Sequence, residues 1–110
     1  MTAAASTDLI AIVTTLATRD DARRMARELV GQGIVACAQL SDIESIYRWR
    51  GDVQQEPEVR LLLKTTASRY GDVEAAIRAL HPYDLPALFA LPVSDASADY
   101  ADWVRGNTRP

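Results

Sequence analysis

The sequence has few of the residue types that form disulfides or bind soft metals. Among its 110 residues there is one cysteine, Cys37, and one histidine, His81. A lone cysteine cannot form a disulfide within the chain, which is typical of a reducing compartment. Soft-metal sites normally use several Cys or His ligands, so a single chain does not supply a full set.

The sequence also has no long apolar run and little net charge. Apolar runs such as residues 9–13 are far too short to cross a bilayer. A net charge of -3 and a pI near 5.0 give no general attraction to phosphate backbones or anionic lipid. We therefore expect neither a nucleic-acid nor a membrane partner. Residues 1–7 have no basic segment followed by an apolar core, which predicts a flexible tail and a cytoplasmic protein.

Motifs of known catalytic chemistry are absent as well. The sequence contains no nucleophile elbow, no glycine-rich phosphate loop and no cluster of metal ligands. His81 with Asp84 is too little for a catalytic triad. We expect a protein that is not an enzyme.

What the sequence does contain is the composition of one folded domain. Its residues are 48% hydrophobic and 25% charged, which is ordinary globular usage. A chain of this length has room for one core, and we place that domain at residues 8–106.

Apolar runs and alternating patterns predict the strands. Residues 8–15 are apolar on both alternating faces, as in a strand covered above and below. A bend at residues 41–42 separates two predicted strands, and Gly51 and Asp52 provide the turn of a long β-hairpin. Pro57 cannot donate to a ladder, which confines it to an edge or a bulge and favours a kink. The remaining predicted strands are 35–40, 43–49, 53–64 and 87–93.

Helical spacing predicts three helices. Thr18 with Asp21 resembles a capping box before the first helix. Ser68 would cap the second helix, which ends at His81 because the residue before a proline avoids helical geometry. Residues 100–104 predict a short C-terminal helix.

The order of these elements predicts an α+β fold of the ferredoxin-like βαββαβ type. Right-handed crossovers place both long helices on one face of the sheet, so the other face is left bare although its strands are apolar. A symmetric oligomer would cover it, and the sequence pattern alone does not choose between dimer and trimer. Tyr47 and Trp49 share one face of the projecting hairpin, where we expect them to anchor that interface.

Several motifs in order resemble one known family. They are Ala-Cys-Ala at 36–38, Ile-Tyr-Arg-Trp-Arg-Gly at 46–51, Leu-Lys-Thr at 63–65 and His-Pro-Tyr-Asp-Leu-Pro at 81–86. Together they resemble the CutA family of divalent-cation tolerance proteins over nearly the whole chain. The resemblance implies a PII-like homotrimer with a role in metal tolerance and the binding of copper.

The resemblance also implies metal ligands that this sequence lacks. Some members carry a cysteine at the end of the first strand and a paired histidine before the proline, where this sequence has Thr14 and Leu80. His81 and Cys37 remain as candidate ligands for copper or another divalent ion. The alternatives are a structural histidine at a helix end and a small buried cysteine.

A second candidate site is a cleft for a small anionic ligand. Lys64 would attract the anion, and Tyr83 would offer a hydrogen-bond donor and an apolar ring. Asp84 and Glu58 would complete the cleft or add carboxylates to a metal site. This hypothesis describes a PII-like sensor with ligands between subunits, and the alternative for Lys64 is a surface ion pair.

Overall fold

The computed structural model describes residues 7–108, which form a four-stranded antiparallel sheet and three helices. The elements are β1 (Leu9–Leu16), α1 (Arg19–Gly31), β2 (Cys37–Trp49), β3 (Asp52–Thr66), α2 (Tyr70–Leu80), β4 (Leu88–Pro92) and α3 (Ala98–Gly106). The sheet order is β2-β3-β1-β4. The predicted ferredoxin-like order is confirmed, whereas the predicted tail lies, apart from Thr7, outside the described residues.

The main core lies between the sheet and the helices α1 and α2. Alternation in β1 directs Ile12 and Leu16 toward these helices, and their register partners Leu63 and Val59 in β3 point the same way. All four side chains are buried. The apolar stripe of α1, which includes Leu29, closes this core.

Among residues 7–108, α3 alone covers the opposite face of the sheet, and only at one end. Ala101 and Val104 of α3 are buried with Leu9 of β1 and Ala36. Beyond this cluster, Phe89 and Leu91 of β4 remain about half exposed. We call this side of the sheet the open face; from the register, it carries the side chains of Ala11, Val13, Cys37, Ile43, Tyr47, Trp49, Glu56, Glu58, Arg60, Leu62, Lys64, Phe89 and Leu91.

The hairpin of β2 and β3 extends past the rest of the sheet. The two strands pair without interruption from Cys37 opposite Lys64 to Trp49 opposite Asp52. Pairing between β1 and β3 stops at Leu16, opposite Val59, so the outer part of the hairpin is two-stranded. The long hairpin was predicted correctly.

Two details of the hairpin differ from the sequence-based prediction. No bend interrupts β2 at residues 41–42, because Ser41 and Asp42 keep their partners in β3. The register is also unbroken at Pro57, opposite Glu44, so of the two predicted settings, an edge or a bulge, the bulge is absent. Pro57 lies beyond the end of β1, where one side of β3 has no neighbouring strand and a missing N–H costs little.

The helix ends were predicted with one error. Thr18 caps α1, accepting a hydrogen bond from the Asp21 N–H at 3.1 Å, and α2 ends before the extended residue His81. Ser68 does not cap α2. It lies in a 3-10 turn, Ala67–Arg69, and its hydroxyl is 3.2 Å from the hydroxyl of Thr66. Within residues 7–108, no helix is long and apolar enough to span a membrane.

Candidate functional site

His81 is fixed by hydrogen bonds at both ring nitrogens. Its Nε2 lies 2.8 Å from the carbonyl oxygen of Thr15, and its Nδ1 lies 3.2 Å from the backbone nitrogen of Tyr83. Since the carbonyl only accepts and the backbone N–H only donates, the neutral ring carries its proton on Nε2. Neither nitrogen is free to bind a metal unless one of these bonds breaks.

Partial burial also keeps His81 neutral. Burial is the largest influence and lowers the pKa of His81 below its ordinary value of 6.5. The Thr15 carbonyl and the negative charges of Glu58 and Asp21 act in the opposite direction but do not overcome it. The Tyr83 ring lies against the imidazole, with 4.7 Å between the ring centroids.

Two tyrosines donate hydrogen bonds to two neighbouring carboxylates on β3. The Tyr83 hydroxyl donates to Glu58 at 2.8 Å, and the Tyr47 hydroxyl donates to Glu56. Burial, followed by the bond to Glu58, raises the pKa of Tyr83, whereas the bond to Glu56 is the main cause of the raised pKa of Tyr47. Both phenols therefore stay protonated as donors at neutral pH.

Lys64 lies near the C-terminal end of β3, whereas Glu56 and Glu58 lie near its middle. Six residues of strand separate it from Glu58, which is about 20 Å, and its Nζ is 5.7 Å from the ring centroid of Tyr100 in α3. Asp84 is exposed in the loop before β4. Within a single chain, Glu58 and Tyr83 form a pair, and Lys64 does not share a cleft with them.

The candidate metal ligands are also separated within the subunit. Cys37 is opposite Lys64 in the register, whereas His81 binds to Thr15, whose partner in β3 is Arg60. In residues 7–108, no three His, Cys, Asp or Glu side chains are grouped so that they could hold a metal ion.

Thr14 and Leu80, at the positions where some members of the resembled family carry a cysteine and a histidine, do not supply the missing ligands. Thr14 is fully buried and its hydroxyl has no hydrogen-bond partner in the described chain, but a hydroxyl is a poor ligand for a soft metal. Leu80 is partly exposed at the end of α2 and has no ligand atom. Residues 7–108 of a single chain therefore do not fit a copper site.

Tyr47 and Trp49 lie on the open face of the hairpin, as the alternation predicted. Their side chains are 39% and 38% exposed, so large aromatic surface remains uncovered within the subunit. The Arg50 guanidinium lies 5.4 Å from the Trp49 ring centroid.

Other residues of the open face were missed by sequence reasoning. Phe89 and Leu91 alternate with more buried positions in β4, and this alternation was the signal that marked them as open-face residues. Arg60 and Glu56 carried no signal of their own, because isolated charges in an alternating strand are usually solvated.

The sheet order, the two helices on one face and the long hairpin define a ferredoxin-like protein with an uncovered sheet face. Residues 10–107 match the CutA1 divalent ion tolerance protein family. This chain belongs to that family, as the motifs of the sequence predicted.

Individual relatives agree over most of their length. The divalent-cation tolerance protein CutA of Thermus thermophilus is 37% identical over 88% of this chain and 95% of its own. The crystal structure of CutA1 from Pyrococcus horikoshii superimposes with a TM-score of 0.89 at 31% identity, covering 92% of this chain and 99% of that chain. CutA of Synechococcus elongatus gives a TM-score of 0.91 at 31% identity, covering 96% and 94%.

One relative is named for a compartment other than the cytoplasm. A CutA protein of Arabidopsis thaliana, 33% identical over 91% of this chain and 56% of its own length, is named as chloroplastic. The cytoplasmic location of the present chain therefore stays a prediction.

Proposed function

We propose that this chain acts in divalent-cation tolerance as a homotrimer and binds copper or another divalent ion between its subunits. Membership of the divalent ion tolerance family supports the metal-related role. The observation that carries the intersubunit location is the lack of any group of three potential ligands within residues 7–108 of one subunit. Ligands contributed by different copies of the chain would complete the set.

The open face supports an oligomer. Phe89, Leu91, Tyr47 and Trp49 expose between 38% and 49% of their surface on one side of the sheet. Large apolar side chains exposed on one face of a sheet favour an interaction surface. The trimer, rather than a dimer, rests on the family resemblance.

Four side chains are candidate ligands in such an assembly. Glu58 and Asp84 offer carboxylate oxygens, and Cys37 offers a thiol on the open face. His81 would coordinate through Nδ1 only after this atom gives up the hydrogen bond from the Tyr83 N–H. Binding through His81 should therefore be accompanied by movement of the loop that follows it.

Two measurements on the untagged protein test this function. Light scattering gives the number of subunits, and elemental analysis with copper calorimetry gives the metal content per trimer. We expect a trimer whose copper affinity falls about tenfold or more in His81→Gln or Cys37→Ser, because each variant removes a ligand from a small set. Arg27→Gln on the outer surface of α1 is the control. A trimer that binds no copper, zinc or other divalent ion at stoichiometric concentration would contradict the metal site, and a monomer would contradict the assembly.

Lys64 favours a second candidate function, that of a PII-like sensor of small anions. In the described part of the chain Lys64 forms no ion pair, and its ammonium faces the Tyr100 ring. In a trimer, Lys64 of one copy and the Tyr83 loop of another would line a cleft. Nucleotides and small organic acids should then raise the melting temperature of the wild type but not of Lys64→Ala, with Arg27→Ala as control. The expectation that the chain is not an enzyme stays a prediction, and turnover of a bound compound would contradict it.

A further inference from the structure

The open face carries charges that have no partner of opposite sign within residues 7–108. Glu56 and Glu58 accept hydrogen bonds from tyrosines but form no ion pair with a Lys or Arg of this range. Arg60, two positions further along the same face of β3, forms none in the same range either. The ion pairs of the described chain involve other arginines: Arg19, Arg23, Arg24, Arg69, Arg78 and Arg105.

Apolar residues of the open face adjoin these charges. Glu58 is opposite Ile43, and Leu62 is the next residue after Arg60 on the same face, although the residues opposite Arg60, Thr15 and Ser41, are polar. Glu58 is already half-buried in the single subunit. A partner that covers the apolar residues will also remove water from these charged groups, and desolvating an unpaired charge is costly.

A second copy of the chain can provide the missing charges. We infer that the open face is an interface between copies of this chain in which Arg60 of one copy binds the carboxylates of Glu56 and Glu58 of the next copy. Successive same-face residues in a strand are about 6.6 Å apart, so a guanidinium with five donors can bond to both carboxylates. This inference rests on the proposed oligomer and adds to it the residues that fix the register.

The proposed pairing is compatible with a closed ring. Each copy carries an acidic segment in the outer hairpin and an arginine nearer the centre of the sheet. If the acidic segment of each copy meets the arginine of the next, the contact is heterologous, and a rotation that closes on itself gives a cyclic oligomer. The aromatic residue Tyr47 would remain bound to Glu56 and pack beside the ion pair.

Charge reversal tests this pairing. We expect Arg60→Glu and Glu58→Arg each to raise the dissociation constant of the assembly at least about tenfold, because each places like charges together. The double variant, Arg60→Glu with Glu58→Arg, should restore the dissociation constant to within about threefold of the wild type because the pair is rebuilt with reversed signs. Sedimentation velocity over a concentration series measures all three.

Matched variants separate pairing from a general effect of charge. Arg27→Glu makes the same charge change on α1, on the other side of the sheet, and should leave the assembly unchanged. Arg48→Glu makes it near the hairpin tip on the face opposite Tyr47, and should also have no effect. Circular dichroism checks that each variant folds.

Glu58→Arg removes the acceptor of the Tyr83 hydroxyl and could fail to fold for that reason. In that case Glu56→Arg, alone and combined with Arg60→Glu, takes the place of Glu58→Arg. As an independent test, the wild-type assembly should weaken as the salt concentration is raised. The pairing would be overturned if Arg60→Glu left the assembly intact, or if the double variant assembled no more tightly than the weaker single variant. Either result would leave the oligomer itself unchallenged. A wild-type monomer would instead overturn the oligomer itself.

Discussion

His81 and Thr15 are joined by a hydrogen bond of 2.8 Å that ties the end of α2 to the end of β1. The bond spans 66 positions of sequence and occupies Nε2, one of the two ring nitrogens through which a metal could bind. His81 thus has a structural role within the chain.

This role predicts how stability depends on pH. The folded-state pKa of His81 is lowered from 6.5, mainly by burial, so the unfolded chain binds its proton more readily. The stabilisation that the neutral, partly buried His81 contributes is therefore complete above about pH 6.5. It is lost as the pH falls from there through the folded-state pKa of His81. The loss is at most ~1.4 kcal/mol per pH unit for one group.

Urea unfolding between pH 7.5 and 5.5, at fixed protein concentration, checks this prediction. His81→Gln keeps a donor for the Thr15 carbonyl but cannot titrate, so its unfolding free energy should change less over the same range. Asp21 and Glu58, whose charges act on the imidazole, are present in both proteins. Equal slopes for the wild type and His81→Gln would show that the histidine is not the responsible group.

Thr14 and Thr65 predict opposite effects of the same substitution. Both are fully buried, but the Thr65 hydroxyl donates to the Ile34 carbonyl at 2.7 Å, whereas the Thr14 hydroxyl has no partner in the described chain. Thr14→Val should stabilise by about 1 kcal/mol because it removes an unsatisfied buried hydroxyl. Thr65→Val should destabilise by about 1–2 kcal/mol because it leaves the Ile34 carbonyl unpaired. Denaturation midpoints measure both changes, and destabilisation by Thr14→Val would mean that this hydroxyl is satisfied in solution.

The bond between Tyr83 and Glu58 predicts a measurable coupling. Tyr83→Phe should destabilise by about 1 kcal/mol, since Glu58 is half-buried and loses its donor. In a double-mutant cycle with Glu58→Gln, the two losses should be less than additive by about 0.5–1 kcal/mol. The matched cycle of Tyr47→Phe with Glu56→Gln should give a smaller coupling because that pair is exposed. Strict additivity at Tyr83 and Glu58 would contradict the bond.

The sequence predicted the elements well because each leaves a local pattern. The run in β1 and the alternation near Tyr47 identify strands, and Thr18 and Pro82 mark helix ends. The predictions at Ser68 and at residues 41–42 were wrong for a common reason. Serine and aspartate favour caps and bends. In the structure, however, the Ser68 hydroxyl lies beside the Thr66 hydroxyl, and Ser41 and Asp42 pair with β3.

The candidate site could be predicted only in part. His81 and Tyr83 were identified by their motif, but the partners Thr15 and Glu58 lie 66 and 25 positions away and are brought close only by the fold. In the sequence, Lys64 ends a predicted strand and Tyr83 lies in the connection before the last predicted strand. These positions suggest that the two residues share a cleft. The antiparallel course of β3 places Lys64 at the opposite end of the sheet from Glu58.

Two glycines predict a further pair of opposite effects. Gly51 has a φ of 88°, in the turn after Arg50, which itself has a φ of 51°. Such a two-residue hairpin turn needs left-handed backbone at both positions, so Gly51→Ala should destabilise by about 1 kcal/mol. Gly71, in the first turn of α2, would place an added Cβ in open space, as Gly51 also would. Gly71→Ala should therefore stabilise by about 0.5–1 kcal/mol, because alanine lowers the entropy of the unfolded chain without strain.

Thermal unfolding of both glycine variants at one protein concentration provides the comparison. Neither substitution meets a neighbouring atom, so the sign of each change in melting temperature reports backbone conformation alone. Because Gly51 lies at the tip of the projecting hairpin, Gly51→Ala should lower the melting temperature without changing the packing of the core. If Gly51→Ala and Gly71→Ala both raised the melting temperature, the turn between β2 and β3 would not have the left-handed geometry described, and the strand register that depends on it would need revision.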